Sequence, residues 1–179
     1  YYFTAVGNTV YFRANDGTNG VEVWKSDGTA TGTVMVKDIR SGSSSSSPSY
    51  LTAVGNTLYF QADDGTNGRE LWKSDGTASG TVMVKDIYSG SGSSNPDEFI
   101  AVGNILYFPA TDGTNGYELW KSDGTSSGTV MVKDIRSGSG SSYPNDLAAV
   151  GNTLYFEAYD TTNGYELWRK SDVPVTEVT

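Results

Sequence analysis

Apolar and polar positions alternate in short runs along this chain, and no stretch of useful length keeps a 3.6-residue apolar period. In Thr57–Ala62, Leu58, Phe60 and Ala62 fall on one face and Tyr59 and Gln61 on the other, the period of a β-strand. Ser49–Val54 precedes it across Gly55-Asn56, a two-residue hairpin signal with Gly where a type II′ turn wants it. The loop Asp64-Gly65-Thr66-Asn67-Gly68 follows, built from residues that form Asx turns or tolerate positive φ. Arg69–Lys73 predicts a third strand, with Leu71 and Trp72. Thr81–Ile87, rich in β-branched residues, predicts a fourth beyond the turn framed by Asp75-Gly76-Thr77 and Gly80-Thr81. A Ser/Gly-rich stretch ending in Pro closes the unit.

This unit is copied. Val-Gly-Asn occurs at Val6, Val54, Val102 and Val150, always 48 residues apart. Between Val6–Arg40 and Val54–Tyr88, 28 of 35 positions match; between Val54–Tyr88 and Val102–Arg136, 29 of 35 match. The fourth copy departs, as terminal repeats do. It has Asp160-Thr161-Thr162 in place of Asp-Gly-Thr, reads as carrying an inserted Arg169, and ends in Val173–Thr179. Four short antiparallel strands per repeat is the size of a β-propeller blade. The expectation is an all-β, four-bladed β-propeller in one repeat domain spanning 1–179, with blades at about 1–48, 49–96, 97–144 and 145–179. Tyr1–Val6 would supply the first strand and Val175–Thr179 the last. The alternatives are an open array cut from a larger propeller, two packed sheets, or a solenoid. The chain opens inside a strand without Met, so it reads as a segment of a larger protein.

Composition narrows the chemistry. There is no Cys and no His among 179 residues, which removes thiol nucleophiles, imidazole bases and zinc–thiolate sites. Twelve basic against 21 acidic residues leave a net charge of −9, which disfavours nucleic acid and anionic membrane surfaces as partners. No apolar run approaches the roughly 20 residues of a membrane-spanning helix, so no membrane insertion is expected.

The segment Glu70-Leu71-Trp72-Lys73-Ser74-Asp75-Gly76-Thr77, then Gly80-Thr81, resembles a tandem repeat of bacterial surface and secreted proteins that reads Glu-Leu-Trp-x-x-Asp-Gly-Thr-x-x-Gly-Thr. The match covers nearly the whole chain. Copy one has Val23 for Leu, and copy four loses the pattern after Trp168. The resemblance implies an extracellular or cell-envelope protein that binds or builds rather than catalyses.

The repeated polar residues read first as structure. Glu22, Glu70, Glu118 and Glu166 are expected to pair with lysines or accept backbone N–H groups. Four equivalent carboxylates around a ring do not make the facing pair of a glycosidase. Trp24, Trp72, Trp120 and Trp168 are expected as core anchors with bonded N–H groups, and a sugar-stacking platform is the alternative. The loops led by Asp16, Asp64, Asp112 and Asp160 offer oxygens to Ca²⁺ but lack the alternating acids of a full calcium loop, so weak calcium binding is the most they predict, and no other cofactor. The Ser-rich linkers, of fixed length and ending at Pro48, Pro96 and Pro144, are expected to be ordered.

Positions that vary between matching copies point to recognition. One column reads Arg13, Gln61, Pro109, Glu157; another Val21, Arg69, Tyr117, Tyr165; a third Arg40, Tyr88, Arg136. Such variety is expected to face solvent or a groove, and Pro109 should end or bulge its strand. The candidate ligand-binding residues are Arg69, Tyr88, Tyr117, Arg136, Tyr143 and Tyr165, types enriched at binding hot spots. The leading functional expectation is a non-enzymatic adhesion, matrix or scaffold domain. A carbohydrate-binding lectin comes second and a glycoside-active enzyme third. The expected partner is a protein or glycan at a cell surface, with flanking domains or further copies for assembly.

Overall fold

The structure, a computed structural model, describes residues 3–171 and 175–178. It contains strands and turns, and no helix among the described residues. Repeat one holds β1 (Thr4–Val6), β2 (Thr9–Asn15), β3 (Val21–Ser26) and β4 (Val34–Lys37). Repeat two holds β5 (Ser49–Val54), β6 (Thr57–Asp63), β7 (Arg69–Ser74) and β8 (Val82–Lys85). Repeat three holds β9 (Ile100–Val102), β10 (Ile105–Thr111), β11 (Tyr117–Ser122) and β12 (Val130–Lys133). Repeat four holds β13 (Asn145–Val150), β14 (Thr153–Asp160), β15 (Gly164–Lys170) and β16 (Thr176–Glu177). Each repeat forms its own four-stranded antiparallel sheet in sequence order. Tyr1, Tyr2 and Thr179, expected in the terminal strands, and Asp172–Pro174 lie outside the described residues.

The hairpin at Gly55-Asn56 forms as its sequence predicts. Val54 pairs with Thr57, and Gly55 has φ +58°. The fourth strand of repeat two is shorter than expected. It stops at Lys85 because the Ile87 N–H leaves the ladder and donates to the Glu70 carboxylate at 2.9 Å. Arg169 is not an insertion in the fold. It faces Tyr155 as Lys121 faces Tyr107, and Lys170 takes the place of Ser122.

The chain divides into two compact units, Tyr1–Ser93 and Ser94–Thr179, each holding two repeats. In the N-terminal unit, Tyr11, Val23 and Val36 of repeat one pack with Leu58, Phe60, Ala62 and Trp72 of repeat two. In the C-terminal unit, Tyr107 and Leu119 of repeat three pack with Leu154, Phe156, Ala158 and Trp168 of repeat four. The same face of one sheet thus meets the opposite face of the next, twice. Leu58, Phe60 and Ala62 are fully buried, and Tyr59 and Gln61 on the other face are nearly so.

Trp72, Trp120 and Trp168 are buried, as core anchors should be, while Trp24, expected as the fourth, is only half-buried. Lys37 stands over the Trp72 ring at 5.9 Å and Lys133 over Trp168 at 4.7 Å, each reaching from the preceding repeat. The expected indole hydrogen bonds hold for Trp168, which donates to the Ala158 carbonyl at 3.2 Å. They do not hold for Trp24 and Trp72, whose N–H groups are buried with no acceptor among the described residues. Apolar packing, not a hydrogen bond, holds the Trp72 ring.

Candidate recognition surface

The signature residues are used up by their own turns. In repeat two, Asp75 Oδ1 accepts from the Thr77 amide at 2.8 Å and the Thr77 hydroxyl at 2.7 Å. The Gly80 amide donates to Thr77 Oγ1 at 2.9 Å, and the Thr81 hydroxyl donates to the Thr77 carbonyl at 2.7 Å. A side chain at residue 80 would run into the Asp75 carboxylate, which explains the second Gly of the motif. The same bonds recur at Asp123.

The calcium candidates sit in Asx turns. Asp16 accepts from the Thr18 and Asn19 amides, each at 2.8 Å, and from the Asn19 side chain at 2.7 Å. Asp64 and Asp112 repeat this set. Asp160 keeps the two amides, while the Asn163 side chain turns to Glu177. The amide bond from Asn19, then that from Thr18, holds the Asp16 carboxyl below its usual range. At Asp64 burial pushes upward, and the bonds from Asn67 and Thr66 together outweigh it.

The repeated Glu anchors the linker. Glu22 accepts from the Ser46 amide at 2.8 Å, the Ser46 hydroxyl at 2.5 Å and the Ile39 amide at 3.1 Å. Glu118 does the same with Ser142 and Ile135. Burial is the largest influence on both and raises them, although the Ser hydroxyl and the amides pull the other way. The linker serine also reaches forward. Its carbonyl accepts from Asp63 N at 3.0 Å in one case and from Tyr159 N at 2.7 Å in the other. Each such serine therefore ties one repeat to the next, and the Ser-rich stretch is an ordered strap.

The varied residues gather around that strap. In the C-terminal unit the Tyr117 amide donates to Ser141 Oγ at 3.0 Å, and its carbonyl accepts from Ser142 at 3.0 Å and Tyr143 at 3.2 Å. The Tyr117 hydroxyl donates to the Asn95 carbonyl, so this ring is a brace. Arg136 lies 5.2 Å from the Tyr159 ring centre, and Tyr159 meets Tyr165 edge-on at 5.3 Å. Tyr143 and Tyr165 are 54% and 52% exposed. Four of the six candidates thus share one neighbourhood. Arg69 and Tyr88 lie in the N-terminal unit. The Arg69 amide bonds Ser93 Oγ, and the Tyr88 ring lies over Gly92.

Tyr159 was missed, although its column (Asn15, Asp63, Thr111, Tyr159) varies as much as the others. In the N-terminal unit the same column places Asp63 in a 3.0 Å ion pair with Arg40, directly opposite Arg69. One geometry therefore carries Arg40–Asp63–Arg69 in one unit and Arg136–Tyr159–Tyr165 in the other.

Two of the four residues in the column of Arg13 are not at solvent or a groove as expected, while Arg13 and Glu157 are half-exposed. Gln61 and Pro109 are buried, and Ser49 Oγ donates to Gln61 Oε1 at 2.9 Å. Nor does Pro109 break its strand. β10 runs through it, paired with Leu119. The Pro109 carbonyl accepts from Asp97 N at 3.4 Å, so its missing N–H also faces the β9 side, where pairing begins only at Ile100–Tyr107. β9 is three residues long where β5 is six, and the pair that Ser49 makes with Gln61 in repeat two has no counterpart at Pro109.

Asp97 stands where Ser49 stands in repeat two, without the partner that Gln61 provides there. Burial, then the charge of Glu98, pushes its carboxyl up from 3.8 to about 6. The native state therefore holds a proton that the unfolded chain releases between those values, and stability falls as pH rises through that window. Asp97→Asn should match wild type near pH 4 and melt higher at pH 7, as thermal scans at the two pH values would show. An equal melting difference at both would contradict the assignment.

No protein-family model and no curated protein sequence matches the chain. Its fold is similar to that of solved structures. A puromycin hydrolase mutant aligns with TM-score 0.64 and 13% identity over 96% of this chain and 27% of its own. A prolyl endopeptidase aligns with TM-score 0.57 and 12% identity over 96% and 24%. TolB from Acinetobacter baumannii aligns with TM-score 0.52 and 11% identity over 96% and 41%. This chain thus spans about a quarter of the two hydrolases' lengths. The likeness is one of fold, and that fold is β-propeller-like.

Proposed function

We propose that the chain is a non-enzymatic recognition and scaffold domain of a bacterial surface or secreted protein, whose four sheets close as the blades of one propeller. One observation carries the reading. The residues that repeat are consumed in building each sheet, while residues that vary cluster along the linker strap, with Tyr143 and Tyr165 exposed and Arg136 and Tyr159 half-buried beside them. Tyr and Arg give rigid contact area and forked donors, which suit a protein or glycan partner. The extracellular setting rests on the resemblance of the Glu-Leu-Trp repeat. The lectin reading draws on the same tyrosines, because open rings beside a guanidinium suit sugar faces. The non-enzymatic reading is supported by Glu22 and Glu118, repeated carboxylates that are enclosed by their own linkers. The Asp16, Asp64, Asp112 and Asp160 loops leave room for weak Ca²⁺ at most, because N–H donors already occupy them.

The test replaces Tyr143, Tyr159 and Tyr165 with Ser together. Binding to bacterial cell surfaces or to a glycan panel should fall at least tenfold with the circular dichroism unchanged. Undiminished binding by the folded triple variant would contradict the proposal.

A further inference from the structure

One register of the sheet carries a different pair in each repeat. The second and third strands face one another at Asn15–Val21, Asp63–Arg69, Thr111–Tyr117 and Tyr159–Tyr165. Of these four pairs, only that of repeat four sets two tyrosines opposite each other. Their ring centres are 5.3 Å apart and their planes inclined at 64°, so the edge of one ring meets the other. Tyr159 is half-buried and held from two sides. Its amide donates to the Ser142 carbonyl at 2.7 Å, and Arg136 lies 5.2 Å from its ring centre. Tyr165 is exposed, as Arg69 is at the same register of repeat two, beside its own linker. Exposed side chains change rotamer within nanoseconds, so a turning ring stands against a fixed one.

We infer that Tyr159 and Tyr165 form an oxidative cross-linking site, where a peroxidase-type one-electron oxidant joins the two rings as dityrosine. Each phenol gives up one electron and one proton, and one hydrogen peroxide takes both pairs and leaves as two waters. The two phenoxyl radicals couple through a carbon ortho to each oxygen, and one C–C bond forms. Each of those carbons then passes its hydrogen, as a proton, to its own ring's oxygen, which restores both phenols. The Arg136 charge opposes a radical cation on Tyr159, so the phenolic proton leaves with the electron. The chain has no Cys, so no thiol of its own reduces the radicals before they couple. The product closes the β14–β15 hairpin covalently, a staple this chain cannot make as a disulfide. The inference does not depend on the Tyr and Arg surface having a partner.

The probe is a heme peroxidase with hydrogen peroxide, applied to the full chain at high dilution. Blue dityrosine fluorescence should appear in the monomer. A glutamyl endoprotease should then release Ala158–Glu166 lighter by two hydrogens, with no fragment ions from the backbone between the two tyrosines. Tyr159→Phe and Tyr165→Phe keep the ring and remove the phenolic hydrogen, and each should lower the monomer fluorescence at least tenfold. Fluorescence confined to cross-linked dimers, or oxidised monomer without that peptide link, would overturn the inference. So would a yield of the link that either Phe variant leaves unchanged.

Discussion

Glu118→Ala should destabilise the chain by about 3–5 kcal/mol, the range for breaking a buried charged hydrogen-bonded group. The substitution removes the acceptor of three donors at once: the Ser142 amide at 2.9 Å, the Ser142 hydroxyl at 2.6 Å and the Ile135 amide at 3.0 Å. Those groups lie under the strap, where water does not replace the carboxylate without opening it. The loss reaches beyond repeat three, because the Ser142 carbonyl also receives the Tyr159 amide. Denaturant unfolding followed by circular dichroism measures the change. A loss under about 1 kcal/mol, less than such donors lose when stranded, would mean the strap is held by other contacts.

Trp72→Ala should destabilise by a similar amount, about 3–5 kcal/mol, through the cavity it leaves. Trp72 is 6% exposed and joins Tyr11, Val23, Phe60 and Leu51 in one cluster, capped by Lys37. Its N–H has no partner among the described residues, so the effect should come almost wholly from packing. Trp72→Phe should accordingly recover most of the loss, and Trp72→Ala within 0.5 kcal/mol of wild type would be incompatible with a buried anchor. Equilibrium melts of the two variants decide it.

Much of the fold was legible because the chain states it repeatedly. Leu58, Phe60 and Ala62 show strand alternation, Gly55-Asn56 marks the hairpin, and both recur 48 residues on with few changes. The end of the fourth strand was not legible. The Ile87 amide has two possible acceptors, the ladder and the Glu70 carboxylate, and only the folded strap brings that carboxylate within 2.9 Å. Pro109 misleads for a related reason. A missing N–H matters only if a neighbouring strand needs it, and β9 starts too late to need it.

The candidate surface was legible in residue type more than in grouping. Arg136, Tyr143 and Tyr165 were found because they vary between near-identical copies. Tyr159 completes their stack and varies too, but its column begins with Asn15 and Asp63, which read as loop residues beside Asp16 and Asp64. Tyr117 went the other way. Its type suggested a contact residue, and its hydroxyl turns inward to brace the Asn95 carbonyl. Sequence variation marks where a side chain has freedom; the direction it takes depends on the strap beside it.

The central claim is that the repeated Glu serves the strap and nothing else. It is tested most directly by unfolding Glu118→Ala and Glu166→Ala side by side in denaturant. The two residues occupy the same register of β11 and β15, and only Glu118 has a strap within the described residues. The account predicts a loss of several kcal/mol for Glu118→Ala and a change within about 0.5 kcal/mol for Glu166→Ala, the range of an ordinary surface substitution. Equal losses at the two positions would contradict it.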